Sequence, residues 1–280
     1  MTTGQVCAGP EWLALREPAD SAARAPELVD EVRPYLPEDG GATIHDLGCG
    51  TGSMARWLAV QLTGPQHWVM YDRDTELLAL AAANPPGRAS DGAPVTIEAR
   101  RHDITRLDRT ELAGATLITA SALLDMLTAE GLERLVSASA GAGCPVLITL
   151  SVTGRVDLTP ADPFDHVVTE AFNAHQRRTT GAGRLLGPDA VGAAISGFSR
   201  RGVDTRVRLS SWRLGPDHVA LAREWFAGWL AAACEQRPEL TARSFSYARR
   251  RLAEAAAGQL SVTVHHQDLL ALPKGPASGC

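Results

Sequence analysis

From Ala42 to Ser151 short apolar runs alternate with amphipathic stretches, and no other feature of the chain constrains its fold as strongly. Strand-like runs fall at Thr43–Leu47, His67–Tyr71, Val95–Arg101, Thr116–Ala120 and Pro145–Ser151. Between the first two, Met54, Trp57, Leu58 and Leu62 recur at helical spacing, and helical patterns also fit Thr75–Ala83 and Ala129–Ser139. Strands separated by helices of this length require right-handed crossovers, which give a parallel sheet covered by helices on both faces.

The rhythm loosens after Ser151. Arg155–Pro163 reads as a loop, and Phe164–Arg178 as a helix with Val167, Val168, Ala171 and Phe172 turned inward. Gly181–Gly187 interrupts, and Pro188–Arg201 is amphipathic. Val203–Trp212 alternates like a strand, helices fit Asp217–Glu235 and Pro238–Ala257, and Leu260–Leu272 is a last strand. Residues 1–40 are rich in Pro and Glu, with a helix expected at Pro26–Tyr35. No internal repeat or long linker divides the chain. One domain over 41–272 is expected, with helical insertions at about 152–187 and 215–258, an N-terminal helical segment or lid over 1–40, and a flexible tail at 273–280.

Composition narrows the class of function. The 280 residues carry a formal net charge of −5, which disfavours nucleic acid as a partner. Cys7, Cys49, Cys144, Cys234 and Cys280 are scattered without a Cys-x-x-Cys pair, so a disulfide framework or zinc site is not expected and a reducing cytoplasm is. No apolar run is long enough to span a bilayer, so no membrane association is expected. Lys274 is the only lysine, which removes Schiff-base chemistry from consideration.

The first strand runs into Asp46-Leu47-Gly48-Cys49-Gly50-Thr51-Gly52. Glycines at a strand-to-helix turn permit positive φ and close approach of a ligand to the backbone. A dinucleotide fingerprint would place its third glycine at position 53, where Ser53 stands. A phosphate-binding loop would need a lysine that is not there. Asp46, just before the turn, would repel a phosphate but can accept hydrogen bonds from an ammonium group.

Asp-x-Gly-x-Gly-x-Gly after a strand resembles the first motif of the class I S-adenosylmethionine-dependent methyltransferases. That resemblance implies a Rossmann-like α/β fold, with a seven-stranded, mostly parallel sheet flanked by helices and helical insertions forming a substrate lid. It implies S-adenosylmethionine as cofactor. Asp72, twenty residues after Gly52, matches the acid that binds both ribose hydroxyls. His102-Asp103-Ile104 matches the position where an acid meets the adenine amino group and an apolar neighbour packs on the ring. The fourth-strand end, Ser121 to Asp125, matches the segment facing the methyl group. The implied cofactor site is thus Asp46, Gly48, Cys49, Gly50, Gly52, Asp72, Arg73, Asp103, Ile104 and Ser121. Asp103 can equally serve as a turn residue, Ser121 and Asp125 are open between site and structural roles, and His45 reads as sheet packing.

Methyl transfer from a sulfonium is an in-line displacement that depends on positioning, and a base helps only if the acceptor must lose a proton. The Pro-Pro-Tyr/Phe signature of amine-modifying enzymes acting on nucleic acids and proteins is absent after the fourth strand, where Ser121-Ala122-Leu123-Leu124 stands. On the substrate side, Asn173-Ala174-His175-Gln176-Arg177-Arg178 combines an imidazole with two guanidiniums. His175 is the candidate base, and Asn173, Arg177 and Arg178 are candidate substrate contacts. Trp12, Trp212, Trp225 and Trp229 can wall a pocket, though the last two read first as core. His265 and His266 should point to opposite faces of a strand. The expected activity is O- or N-methylation of a small molecule, with a homodimer as one arrangement open to it. A protein that binds the cofactor without transferring methyl groups is the alternative, as is a protein or RNA methyltransferase. Asp72→Ala is expected to weaken cofactor binding strongly with the fold kept, as measured by calorimetry.

Overall fold

The computed structural model describes residues 9–37 and 41–273; Cys7, Cys280, Lys274 and all but the first residue of the expected tail lie outside them. In chain order the elements are α1 (Pro10–Ala23), α2 (Pro26–Val32), β1 (Ala42–Leu47), α3 (Ser53–Ala59), β2 (Gln66–Asp72), α4 (Thr75–Ala83), β3 (Val95–Arg101), β4 (Leu117–Ser121) and α5 (Ala129–Gly141). Then come β5 (Val146–Thr159), α6 (Pro163–Gln176), the short hairpin β6 (Thr179–Thr180) and β7 (Gly183–Arg184), and α7 (Ala190–Arg200). The chain closes with β8 (Asp204–Leu209), β9 (Trp212–Leu214), α8 (Val219–Gln236), α9 (Thr241–Ala256) and β10 (Ser261–Leu272). Local chemistry fixes several starts. Asp74 caps α4 by accepting from the N–H groups of Glu76 and Leu77, Thr128 caps α5, and Asp162 with Asp165 forms a reciprocal capping box on α6.

The strands order as β3-β2-β1-β4-β5-β10-β8, and β9 joins the same edge of β10 as β8. From β3 to β5 all pairings are parallel, and β10 runs antiparallel to β5, β8 and β9. The fold is therefore the expected Rossmann-like α/β sheet. Strand order reverses between β1 and β4, so a crevice opens at their carboxyl ends. Leu132, Leu135 and Phe198 belong to the core on one face; Met54, Leu58 and Trp68, with Val29 from α2, belong to the core on the other. A third core, containing Phe164, Trp212, Phe226, Trp229 and Tyr247, joins α6, α8 and α9 to the far ends of β5 and β10. No helix among the described residues is long and apolar enough to cross a membrane.

The structure departs from the sequence reading in three places. Arg155–Thr159, expected in a loop, continues β5, because Val262–Ser261 of β10 pairs with Leu158–Thr159. The expected strand Val203–Trp212 is split into β8 and β9, which pair with separate parts of β10. The N-terminal segment holds a further helix, α1, with Pro18 inside it. The antiparallel ribbon of β5 and β10 also carries two irregularities, one spanning Gly154 and one spanning Leu150, which takes the left-handed φ of 56°.

At the second irregularity the Leu150 N–H leaves the ladder and donates to Asp268 Oδ1 at 2.7 Å. The other oxygen of Asp268, a residue with no exposed surface, accepts from Ala25 N at 2.9 Å, between α1 and α2. Asp268→Ala strands both buried N–H groups and is expected to cost about 3–5 kcal/mol. Asp268→Asn, which keeps one acceptor oxygen, should cost clearly less. Urea denaturation of the two variants beside the parent checks both values.

Candidate functional site

The turn after β1 is fastened to β2, since Gly48 N and Cys49 N both donate to Tyr71 O, at 2.8 and 2.9 Å. Two of its glycines are required by geometry. Gly48 has φ 70° and a Cβ there would lie 3.2 Å from the Leu123 side chain; Gly52 has φ 85° and its Cβ would lie 3.3 Å from Ala81. Gly50 N donates to Asp72 Oδ2 at 2.9 Å, while Asp72 Oδ1 accepts from Asp74 N at 3.0 Å. Asp72 thus braces the turn, and Asp74 does the helix capping.

A cavity of about 420 Å³ opens at this turn. Asp46, Gly48, Cys49, Gly50, Asp72, Arg73, Asp103, Ile104 and Ser121 all line it. Gly52 does not; it packs beneath the turn against Ala81. Asp46 is buried, accepts from Thr119 Oγ1 at 2.7 Å, and leaves Oδ2 without a partner. Burial raises its pKa to about 6, against the opposing pull of the Thr119 hydrogen bond and of Arg24. A carboxylate with an unused buried oxygen fits a cationic amino group. Asp103 is both a turn residue and a wall residue. It accepts from Thr105 N and Oγ1, at 3.0 and 2.7 Å, and these bonds outweigh its burial to hold its pKa down. The Cys49 thiol is pushed up by burial and by Asp46 and Asp72, so it stays protonated. His45 packs on Tyr71 within the sheet, its pKa lowered to about 4 by burial and by Arg100.

The N-terminal segment supplies the rest of this cavity. Leu13, Arg16 and Asp20 of α1 line it, and Arg24 is buried next to it. Arg24 donates to Ser53 Oγ at 3.2 Å and Ser121 Oγ at 3.1 Å, and its guanidinium lies over Trp57. Ser121 is therefore held by Arg24 and by Thr149 Oγ1.

A second, inner chamber of about 190 Å³ meets the first at Arg16, Ala122 and Asp125, which line both. Ala122, just past β4, takes the left-handed φ of 51°. Trp12, Phe172, Trp212 and Trp225 contribute aromatic wall, and Trp229 stacks behind Trp225 at 5.2 Å. Arg16 is engaged twice over. It makes a bidentate pair with Asp20, at 2.9 and 3.1 Å, and lies over the Trp212 ring at 4.9 Å. Asp125 is half-buried and accepts from Gln176 Nε2 at 3.4 Å; burial raises its pKa to about 6. His266 on the chamber wall is neutral, lowered to about 3 by burial and by Arg16. His265 also reaches this wall, but its ring is bonded to Asp157 and Ser211 while that of His266 faces Trp212, so the two rings part.

The substrate-side residues read from the sequence are brought together only in part. Asn173 reaches the inner chamber, with Nδ2 donating to Gly154 O at 2.7 Å. His175 lines neither cavity; its Nε2 lies 3.4 Å from Glu235 on α8, and burial and Arg178 lower its pKa. Arg177 is committed to Asp189, at 2.6 and 2.7 Å, and Arg178 donates to His175 O. Sequence reasoning missed Arg16, Asp20, Arg24 and Gln176. Gln176 sits inside the segment already singled out, but for the other three no local motif marks them.

Residues 44–142 match the family model described as a methyltransferase domain. No curated protein matches the chain. Among solved structures, a mycolic acid cyclopropane synthase complexed with SAH and CTAB is similar at 15% identity and a TM-score of 0.47, over 88% of this chain and 83% of that one. A SAM-dependent methyltransferase from Geobacter sulfurreducens, in complex with S-adenosyl-L-homocysteine, is similar at 15% identity and a TM-score of 0.44, over 96% and 100%. The Asp-x-Gly-x-Gly-x-Gly turn, which resembles the first motif of the class I S-adenosylmethionine-dependent methyltransferases, lies inside the segment that matches the methyltransferase-domain model.

Proposed function

We propose that the chain methylates a small-molecule acceptor at oxygen or nitrogen, with S-adenosylmethionine in the 420 Å³ cavity and the acceptor in the inner chamber. The observation that carries this reading is the junction at Arg16, Ala122 and Asp125, where the two spaces meet at the carboxyl end of β4. The cofactor supplies an electrophilic methyl group on a sulfonium. Asp46 would accept from the amino acid ammonium through its unused Oδ2. Asp72 would take the ribose hydroxyls; each of its oxygens already accepts one backbone N–H and has a second lone pair available. Asp103 and Ile104 would meet the adenine. Gly52 serves by letting the turn close, and Arg73 and Ser121 complete the wall.

On the acceptor side, α1 with α6, α8 and α9 would act as the lid, keeping water from the junction and holding the nucleophile in line. An aromatic-walled chamber of about 190 Å³ supports a small acceptor over a protein or RNA. His175, turned to Glu235, has no part in this reading.

Incubation with methyl-labelled S-adenosylmethionine and a metabolite extract of the source cell is expected to move label into a small organic product. Tight binding without transfer would instead indicate a regulatory cofactor-binding protein, and label in protein or RNA would indicate a macromolecular substrate.

Asp46 gives a second test. Because its folded pKa is raised, the ligand-free protein loses stability as pH rises from about 4 to about 6, and the effect is flat above that. Asp46→Asn should therefore leave the ligand-free Tm at pH 7.5 equal or higher. The same change should weaken S-adenosylhomocysteine binding at least about tenfold and remove its fall-off below pH 6, as read by calorimetry.

A further inference from the structure

Resting on the proposed methyl transfer, we infer that Asp125 is the group that takes the acceptor's proton, and that the acceptor is a small planar molecule presenting a hydroxyl or amine to the junction of the two cavities. Three residues line both spaces, and the reacting atoms must meet between them. Ala122 has no functional group. Arg16 carries only hydrogen-bond donors and is already held by Asp20 and Trp212. That leaves one side chain at the junction able to accept a proton, the half-buried carboxylate of Asp125.

Its surroundings suit the task. Gln176 Nε2, on α6, donates to Oδ2 and orients the carboxylate. The charged groups acting on it are Arg16 from α1 and Arg178 just beyond α6; Arg155 of β5 and the neutral His266 of β10 also line the chamber. Burial opposes the ionised form, the guanidiniums of Arg16 and Arg178 favour it, and the balance sets the carboxyl at about 6, where a general base works well. Asn173 and Gln176 on the wall each carry a buried amide oxygen without a partner. A ligand that donates hydrogen bonds would complement these acceptors, and the surrounding indole and phenyl faces would clasp a flat ring.

In the transfer, the O–H or N–H proton of the acceptor passes to a carboxylate oxygen of Asp125. The acceptor's electron pair forms the new bond to the methyl carbon, and the carbon–sulfur bond breaks with its pair left on sulfur. The sulfonium charge and the carboxylate charge disappear together, so the step leaves no new charge at the junction.

The assignment is tested with the acceptor found by label transfer, or failing that with a panel of simple phenols and arylamines. For the parent, kcat/KM should rise with pH through about 6 to a plateau. Asp125→Asn should lower kcat by about 100-fold or more and abolish that acid limb, with S-adenosylhomocysteine affinity and Tm kept. Asp125→Ala should regain rate when formate is added, which a structural role would not produce. A variant that keeps the parent's rate and acid limb, or a loss that follows only Tm, overturns the assignment while leaving the methyl transfer standing. A parent enzyme that methylates none of these acceptors, despite binding the cofactor, overturns both.

Discussion

Much of the site hangs on one fully buried carboxylate. Asp268 holds two N–H groups that no regular element can satisfy, that of Leu150 in the β5 irregularity and that of Ala25 between the N-terminal helices. Securing Ala25 also sets the preceding residue, so the Arg24 guanidinium enters the space between Ser53, Ser121 and Thr149. Burial lowers the pKa of Arg24, and the charges of Asp20, Asp268 and Asp46 work against that. One buried cation is thereby shared among three acids from α1, β10 and β1. A group of this kind does little for net stability, yet it is intolerant of losing a member, because a charge would be left uncompensated. Its structural value lies in fixing where the N-terminal segment crosses the sheet.

The position of α1 follows from that anchor. With its carboxyl end tied down, one face of the helix presents Trp12, Leu13, Arg16 and Asp20 to the two cavities. Asp20 is the link between spaces, since it pairs with Arg16 and accepts from Trp212 Nε1 at 2.9 Å. The larger cavity and the inner chamber therefore share a wall that belongs to neither the sheet nor the helices following its strands.

How far the sequence could be read depended on how local each interaction is. The strands β1 to β4 and the turn between β1 and α3 were legible because apolar runs, spacing and glycines act over a few residues. Asp46, Asp72 and Asp103 could be placed for the same reason, each at or just beyond the end of a strand. The far half of β5 was not legible. Arg155 and Asp157 look like loop residues, but they are held extended by pairing with β10, more than a hundred residues away in the chain. The same holds for α1, whose Pro18 and charged residues hide a helix stabilised by long-range contacts. Arg24 was invisible altogether, since its partners Ser53, Ser121 and Thr149 come together only after the sheet has formed.

The segment from Asn173 to Arg178 shows why composition can find a region and miss the residue. Its imidazole and guanidiniums drew attention to a helix that does border the inner chamber. Successive residues on a helix point about 100° apart, however, so neighbours in sequence face different surroundings. Asn173 and Gln176, three apart, share the chamber face. His175 is turned towards α8 and Glu235, and Arg177 towards Asp189. The amide of Gln176, unremarkable in the sequence, is what reaches Asp125. The residue that meets Asp125 is thus selected by helix phase against a loop after β4, a relation between two segments that neither contains alone.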